Sequence, residues 1–270
     1  SSDEAVERMK KNAKLIFYTS KLIQQTEDIK YARIQTSADM ADFSGTITGS
    51  AFTGGYIGYT MLVNSTDTTY ARTTAENVRK LTINQTSEET VVDKVCNANV
   101  QTSEVQIYVT GTVGAGSVTA DTYVGGLVGY DDANTFLRIE NATNRAAVTA
   151  KTGYAGGMIS ASRKSNNKIL TSNNYGTITA KEAAGGIVGE NWGPVYYNAF
   201  AGIVNGFAVG GVTGYARSIV YENQTTINSL MKGCLVGGIA GYQSIPNGNC
   251  DMYNNSIEGT LFGVEYSSAK

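Results

Sequence analysis

Residues 123–130 read Tyr-Val-Gly-Gly-Leu-Val-Gly-Tyr, and the core of that stretch comes back five more times. A Gly-Gly-apolar-x-(Gly or Ser) unit stands at 54–58, 125–129, 156–160, 185–189, 210–214 and 237–241. From the second copy on, the second glycines (Gly126, Gly157, Gly186, Gly211, Gly238) fall 25–31 residues apart; Gly55 belongs to the outlying first copy. Short β-branched runs precede most of the units: Gly-Thr-Ile-Thr-Gly at 45–49, Ser-Val-Thr-Ala at 117–120, Ala-Val-Thr-Ala at 147–150 and Gly-Thr-Ile-Thr-Ala at 176–180. Thr119, Thr149 and Thr179 keep a constant spacing, and Asn144, Asn174 and, less regularly, Asn198 stand ahead of the runs.

Two short strands of this kind have no core of their own. Stacked along an axis, each strand pairs in parallel with its copy one turn on, and the turns enclose a continuous apolar interior. A period near 30 residues suits a solenoid turn of two or three strands, whereas a propeller blade needs about 40–50 residues. The expected fold is therefore all-β, a parallel β-solenoid (β-helix) over residues 39–270. Glycine at fixed places suits corners where a side chain would clash. Recurring Asn and Thr suit polar ladders in which each side chain bonds to its copy in the next turn.

With these residues in view, the chain resembles the GLUG-motif repeats, named for a Gly-Leu-x-Gly pattern. Residues 126–129 match it literally. Units 157–160, 186–189, 211–214 and 238–241 match with Met, Ile, Val and Ile in the Leu place, and Ser160 replaces the last glycine. The resemblance covers roughly 110–260. It implies β-helix turns of secreted and surface proteins, including adhesins and the non-catalytic regions of IgA-specific metallopeptidases, and it carries no catalytic residues.

Two stretches depart from the pattern. Between Gly55 and Gly126 the marker is missing for 71 residues. That length holds either two degenerate turns or one turn with an insertion around Thr73–Val95, and continuation of the solenoid with a protruding loop is the expectation. Val105–Val109 and Leu81–Ile83 still read as strands. Residues 1–38 read as an N-terminal segment containing an amphipathic helix over 3–24: Val6, Met9, Ala13, Ile16 and Phe17 keep helical spacing, with Ser2 as cap. Such a helix would cap the open end of the solenoid or dock on a neighbouring molecule.

Composition narrows the function classes. Charged residues make up 16% of the chain and proline occurs twice against 31 glycines, a β-rich and turn-rich profile. A net charge of −2 without a basic stripe argues against nucleic acid. No stretch is apolar enough for a membrane-spanning helix. The opening Ser-Ser-Asp-Glu, without Met, reads as a processed or excised piece. Cys96, Cys234 and Cys250 form no metal-binding spacing. Cys234 and Cys250 either pair across neighbouring turns or stay as buried thiols.

Histidine is absent, which removes Ser-His and Cys-His catalysis and the commonest metal ligand. The remaining candidates for chemistry are carboxylates: Asp131 and Asp132 after one Gly-Gly strand, and Glu190 at the place equivalent to Tyr130 two turns on. Paired, they would serve acid/base work on a glycan, or with Asn134 hold Ca²⁺. No turn is enriched in acids and bases as such a cleft requires, so no catalytic residue, metal or cofactor is assigned. Tyr59, Tyr130, Tyr215 and Tyr242 follow the repeat core in four of six units and should form one column, read either as a glycan- or partner-binding stripe or as a half-buried stack at a corner. Thr46 with Thr48 and Thr177 with Thr179 form T-x-T pairs of the kind that organise ice, and an internal Thr ladder accounts for them equally.

Five glycosylation sequons occur, at Asn64, Asn84, Asn141, Asn223 and Asn254, about the number chance supplies. Both residues inside the glycine frame are usually apolar: Leu127-Val128, Met158-Ile159, Ile187-Val188, Ile239-Ala240. Since successive strand residues face opposite ways, one of each pair is expected outside, as a stripe for other protein subunits, unless a glycine corner turns both in. The combined expectation is an extracellular or cell-surface structural or adhesive protein, a filament or surface-assembly subunit. A glycan-binding or polysaccharide-cleaving β-helix is the alternative.

Overall fold

The computed structural model describes residues 33–60, 106–131, 136–165, 167–244 and 250–265. Among these there is no helix, and every strand pairing is parallel. The chain winds as a parallel β-solenoid with three sheets of ten, eleven and six strands. One coil shows the plan. Gln106–Val113 lies in the first sheet, Ser117–Ala120 and Tyr123–Gly125 in the second, and Val128–Asp131 in the third. The next coil repeats it with Phe136–Asn144, Ala147–Ala150, Tyr154–Gly156 and Ile159–Ser162. The helix expected over 3–24 lies outside the described residues. The first described strand, Arg33–Met40, starts ahead of the boundary read at 38/39.

The long gap between markers resolves cleanly. The coil spanning 33–60 stacks directly on the coil spanning 106–131, with Arg33 opposite Gln106, Ile47 opposite Val118, Thr53 opposite Val124 and Ile57 opposite Val128. No degenerate turn separates them, so residues 61–105 are an insertion between two neighbouring coils. Leu81–Ile83 falls in that insertion, outside the described residues.

The interior is a set of side-chain columns. Val118, Val148, Ile178, Val204 and Met231 stack in register and are fully buried. Thr119, Thr149 and Thr179 alternate with them and so face solvent. The threonine ladder is thus external. Among the described residues, two internal ladders are built of asparagines. Asn144 donates from Nδ2 to Asn174 Oδ1 at 2.9 Å. Asn198 belongs to a separate column two places upstream, donating to Asn223 Oδ1 at 2.9 Å, which in turn donates to Asn255 Oδ1 at 3.1 Å. Each member of the second column, like Ala142 and Ser172 above it, follows a residue with positive φ: Asn141, Thr171, Tyr197, Glu222 and Asn254. This left-handed corner aims the following side chain into the core, where it satisfies backbone groups that a bend strips of ladder partners.

The glycines have two distinct jobs. The second glycine of each unit lies against a first-sheet corner side chain: Gly55 on Val113, Gly126 on Asn144, Gly157 on Asn174, Gly186 on Phe200, Gly211 on Thr225 and, in the last coil, Gly238 on the exposed Ile257. A Cβ at Gly157 would stand 2.5 Å from Asn174 Nδ2 and closer still to the Gly186 carbonyl. The first and last glycines let the second and third sheets meet back to back, as at Gly156, where a Cβ would come within 2.7 Å of Gly189 N, and Gly185, within 2.8 Å of Gly214 N. Ser160 fits the last position by donating its hydroxyl to the Gly129 carbonyl.

This arrangement overturns the expected outward apolar stripe. Leu127, Val128, Met158, Ile159, Ile187 and Val188 are all at most 1% exposed. The strand ends at the first glycine and restarts after the following apolar residue, so the bend at 126–127 resets the alternation and both side chains point inward. Among the described residues the exposed large aliphatic and phenylalanine side chains lie elsewhere, at Phe52, Ile203, Ile227, Leu235, Ile257, Leu261 and Phe262.

Candidate functional site

The mouth of each glycine arch carries the residues singled out from the sequence. Strand register places Tyr59, Tyr130, Ala161, Glu190, Tyr215 and Tyr242 in one column, as the repeat alignment requires. A second column faces it across the mouth: Phe52, Tyr123, Tyr154, Ala183, Ala208 and Leu235. Its signal in the sequence is the aromatic residue two places ahead of the first three Gly-Gly pairs. A third stack, on the first sheet, joins Tyr196, Tyr221 and Tyr253 at 4.8 and 5.1 Å.

The rings spend their faces on one another. Tyr59 and Tyr130 lie 5.6 Å apart and 5° from parallel, Tyr123 and Tyr154 5.4 Å apart and 10° from parallel. Across the mouth Phe52 meets Tyr59 at 4.8 Å and Tyr123 meets Tyr130 edge-on at 4.8 Å. Rings stacked along the axis offer edges and hydroxyls outward, whereas sugar recognition by aromatics uses the ring face. These pairs form a half-buried stack, each worth about 0.5–1.5 kcal/mol beyond area, whereas Tyr154–Tyr215 and Tyr215–Tyr242 meet edge-to-face at 5.7 and 5.6 Å. Tyr242, 48% exposed, ends its column and keeps a more open ring. Burial raises the phenol pKa of Tyr154 well above the ordinary tyrosine value, with Glu182 and Glu190 adding to it, and raises that of Tyr215 for the same leading reason.

Where the tyrosine column is interrupted, charge replaces it. Glu190 is 1% exposed although its column faces outward. Arg163 from the coil before pairs with its Oε2 at 2.7 Å, and Arg217 from the coil after donates to its Oε1. Arg217 also donates to Ser244 Oγ at 2.7 Å and lies 5.3 Å over the Trp192 ring. Arg163 sits 5.9 Å over both Tyr130 and Tyr154. Both arginines are the first residue after a third-sheet strand, six places after the second glycine of their units, with Trp192 between them in register.

Asp131 is on the opposite side of the same sheet. It is fully buried, stacked between Thr60 and Ser162, and accepts from Thr60 Oγ1 and Asn167 Nδ2. Asp131 and Glu190 therefore point to opposite faces from places two coils apart, and they form no carboxylate pair. Asp132 and Asn134 lie outside the described residues. Among the described residues no cluster of His, Cys, Asp or Glu could hold a metal ion. Cys234 and Cys250 are unpaired, each near a backbone carbonyl of a neighbouring coil, and burial raises the Cys250 thiol pKa. Cys96 lies outside the described residues. Among the described residues no helix is long and apolar enough to cross a membrane. No protein-family model, curated protein or solved structure matches the chain.

Proposed function

We propose that this chain is an extracellular or cell-surface structural or adhesive solenoid, acting through its long lateral faces with other protein subunits or with a surface. One observation carries the reading. Nearly every unusual residue of the repeat is committed to the stack: glycines to close backbone approach, asparagines to internal ladders, tyrosines to ring stacking. What is left outside runs along the axis in columns, such as Thr48, Thr119, Thr149 and Thr179, continued by Asn205 and Lys232. A surface laid out in such long columns suits many weak contacts to an extended partner rather than one contact to a small molecule. The resemblance to GLUG-motif repeats points the same way.

The test is localisation together with assembly. Antibody to the chain should label unpermeabilised source cells or their extracellular matrix, and the purified chain should bind such surfaces or form large oligomers. Labelling only after permeabilisation removes the proposal. Turnover of a polysaccharide, abolished by Asp131→Ala or Glu190→Ala, would replace it with the glycan-cleaving alternative.

A further inference from the structure

Three sequons lie among the described residues, and the fold separates them. Asn141 and Asn254 are exposed and both hold left-handed backbone, with φ of 53° and 55°. They share one corner column with Thr171, Tyr197 and Glu222, each standing one place ahead of a core-facing residue. Asparagine tolerates this conformation better than most residues. The corner does not demand it, however, since a threonine, a tyrosine and a glutamate occupy the same place. The sequon hydroxyl residues beside them, Thr143 and Ser256, are half-buried and exposed respectively. Asn223 is the opposite case. It is 1% exposed, and its Nδ2 donates to the carbonyls of Val195 and Tyr221 at 2.9 and 3.0 Å and to Asn255 Oδ1 at 3.1 Å.

We infer that Asn141 and Asn254 are acceptors for an N-linked glycan and that Asn223, despite its sequon, is not one in the folded protein. The inference rests on the extracellular reading, since the donor, an oligosaccharide linked to a lipid diphosphate, belongs to secretory pathways. In the transfer the side-chain amide nitrogen bonds to the anomeric carbon. The anomeric C–O bond breaks, the lipid diphosphate leaves with the electron pair, and one amide proton passes to a base of the transferase. At Asn141 and Asn254 the product projects from a corner into solvent. At Asn223 it would replace a ladder hydrogen with a sugar inside the core, and such a chain could not close its coils. The two glycans would also stand in one column, leaving the threonine and tyrosine faces bare for contacts.

The full chain, secreted from a cultured eukaryotic cell with a flexible tag bearing one sequon, provides the test. The tag reports that the transferase acted. Peptide mass spectrometry after amidase release in heavy-oxygen water then reads each site. Asn141 and Asn254 should be occupied in most molecules and Asn223 in none. Asn141→Asp and Asn254→Asp should each remove one glycan's mass without changing the β-rich circular dichroism, and Thr225→Val should remove none. Glycan on Asn223 in soluble folded protein overturns the assignment. So does a bare Asn141 or Asn254 in molecules with a glycosylated tag, or secretion that occurs only for Thr225→Val. Because the host is heterologous, a native chain found inside cells would refute the extracellular reading without altering this result.

Discussion

Adding one methyl group at Gly157 should strongly destabilise the middle of the solenoid. The new Cβ would lie 2.5 Å from Asn174 Nδ2, about 1 Å short of ordinary contact, and would also press on the Gly186 carbonyl of the next coil. Asn174 cannot swing away freely. Its Nδ2 donates to Gly186 O at 2.6 Å, and its Oδ1 accepts from Asn144 Nδ2 at 2.9 Å and Gly176 N at 2.9 Å. Overpacking of this kind costs about 1–3 kcal/mol, and each buried hydrogen bond that breaks adds about 1 kcal/mol. The expected loss for Gly157→Ala is therefore about 3–5 kcal/mol. Gly263→Ala is the matched control, because nothing lies within 4 Å of a Cβ there, and it should change stability by less than about 0.5 kcal/mol. Urea unfolding followed by circular dichroism gives the global difference. Native-state hydrogen exchange at the ladder amides gives the local one, which matters because repeat stacks can open coil by coil. If Gly157→Ala and Gly263→Ala unfold within about 0.5 kcal/mol of each other, the packing role of the second glycine is wrong.

Three further outcomes follow from the same columns. Asn198→Ala strands the Ile169 and Tyr196 carbonyls and the Ser172 amide, and should cost about 2–4 kcal/mol, with exchange accelerated on both neighbouring coils; protection unchanged at those amides would contradict the ladder. Glu190→Gln leaves Arg163 and Arg217 facing each other without a countercharge. Both arginines are about a quarter exposed, so the loss should be about 1–2 kcal/mol rather than that of a dry pair, and a double-mutant cycle with Arg217→Met measures the coupling. Burial holds the Tyr154 phenol protonated above its ordinary pKa, so this tyrosine contributes stability that is fully present below pH of about 10 and is lost as pH rises beyond it. Tyr154→Phe should flatten that alkaline loss, and an equally steep decline in the variant would show that the titrating group is another one.

Much of the architecture was legible because a solenoid is nearly one-dimensional. Each coil contacts its neighbours in the same way, so a period in sequence becomes a period in space. The tyrosine column illustrates this: spacing alone placed Tyr59, Tyr130, Tyr215 and Tyr242 together and put Glu190 in register with Tyr130. Spacing also allowed the gap before Gly126 to be a single insertion, and the direct pairing of Ile57 with Val128 selected that option.

Where alternation was used as a guide to direction, it failed at the bend. Leu127 and Val128 are adjacent in a strand-like run, yet both are buried, because direction depends on where the strand stops and restarts. Asn198 looked like a weak copy of Asn174 and proved to be the head of another ladder, since the residue in register with Asn174 is Phe200, two places further on. Arg163 and Arg217 share one repeat position, six after the second glycine, but spacing alone does not show that both side chains turn onto Glu190.

The sequence by itself determined the stacking: glycines at constant places, β-branched runs between them, and a period too short for any unit to bury its own face. Tertiary structure decided which way each side chain points and what it then meets. That decision rests on bends of one or two residues. A bend inverts inside and outside for everything after it, and it leaves only a glycine or a left-handed φ as its trace in the chain.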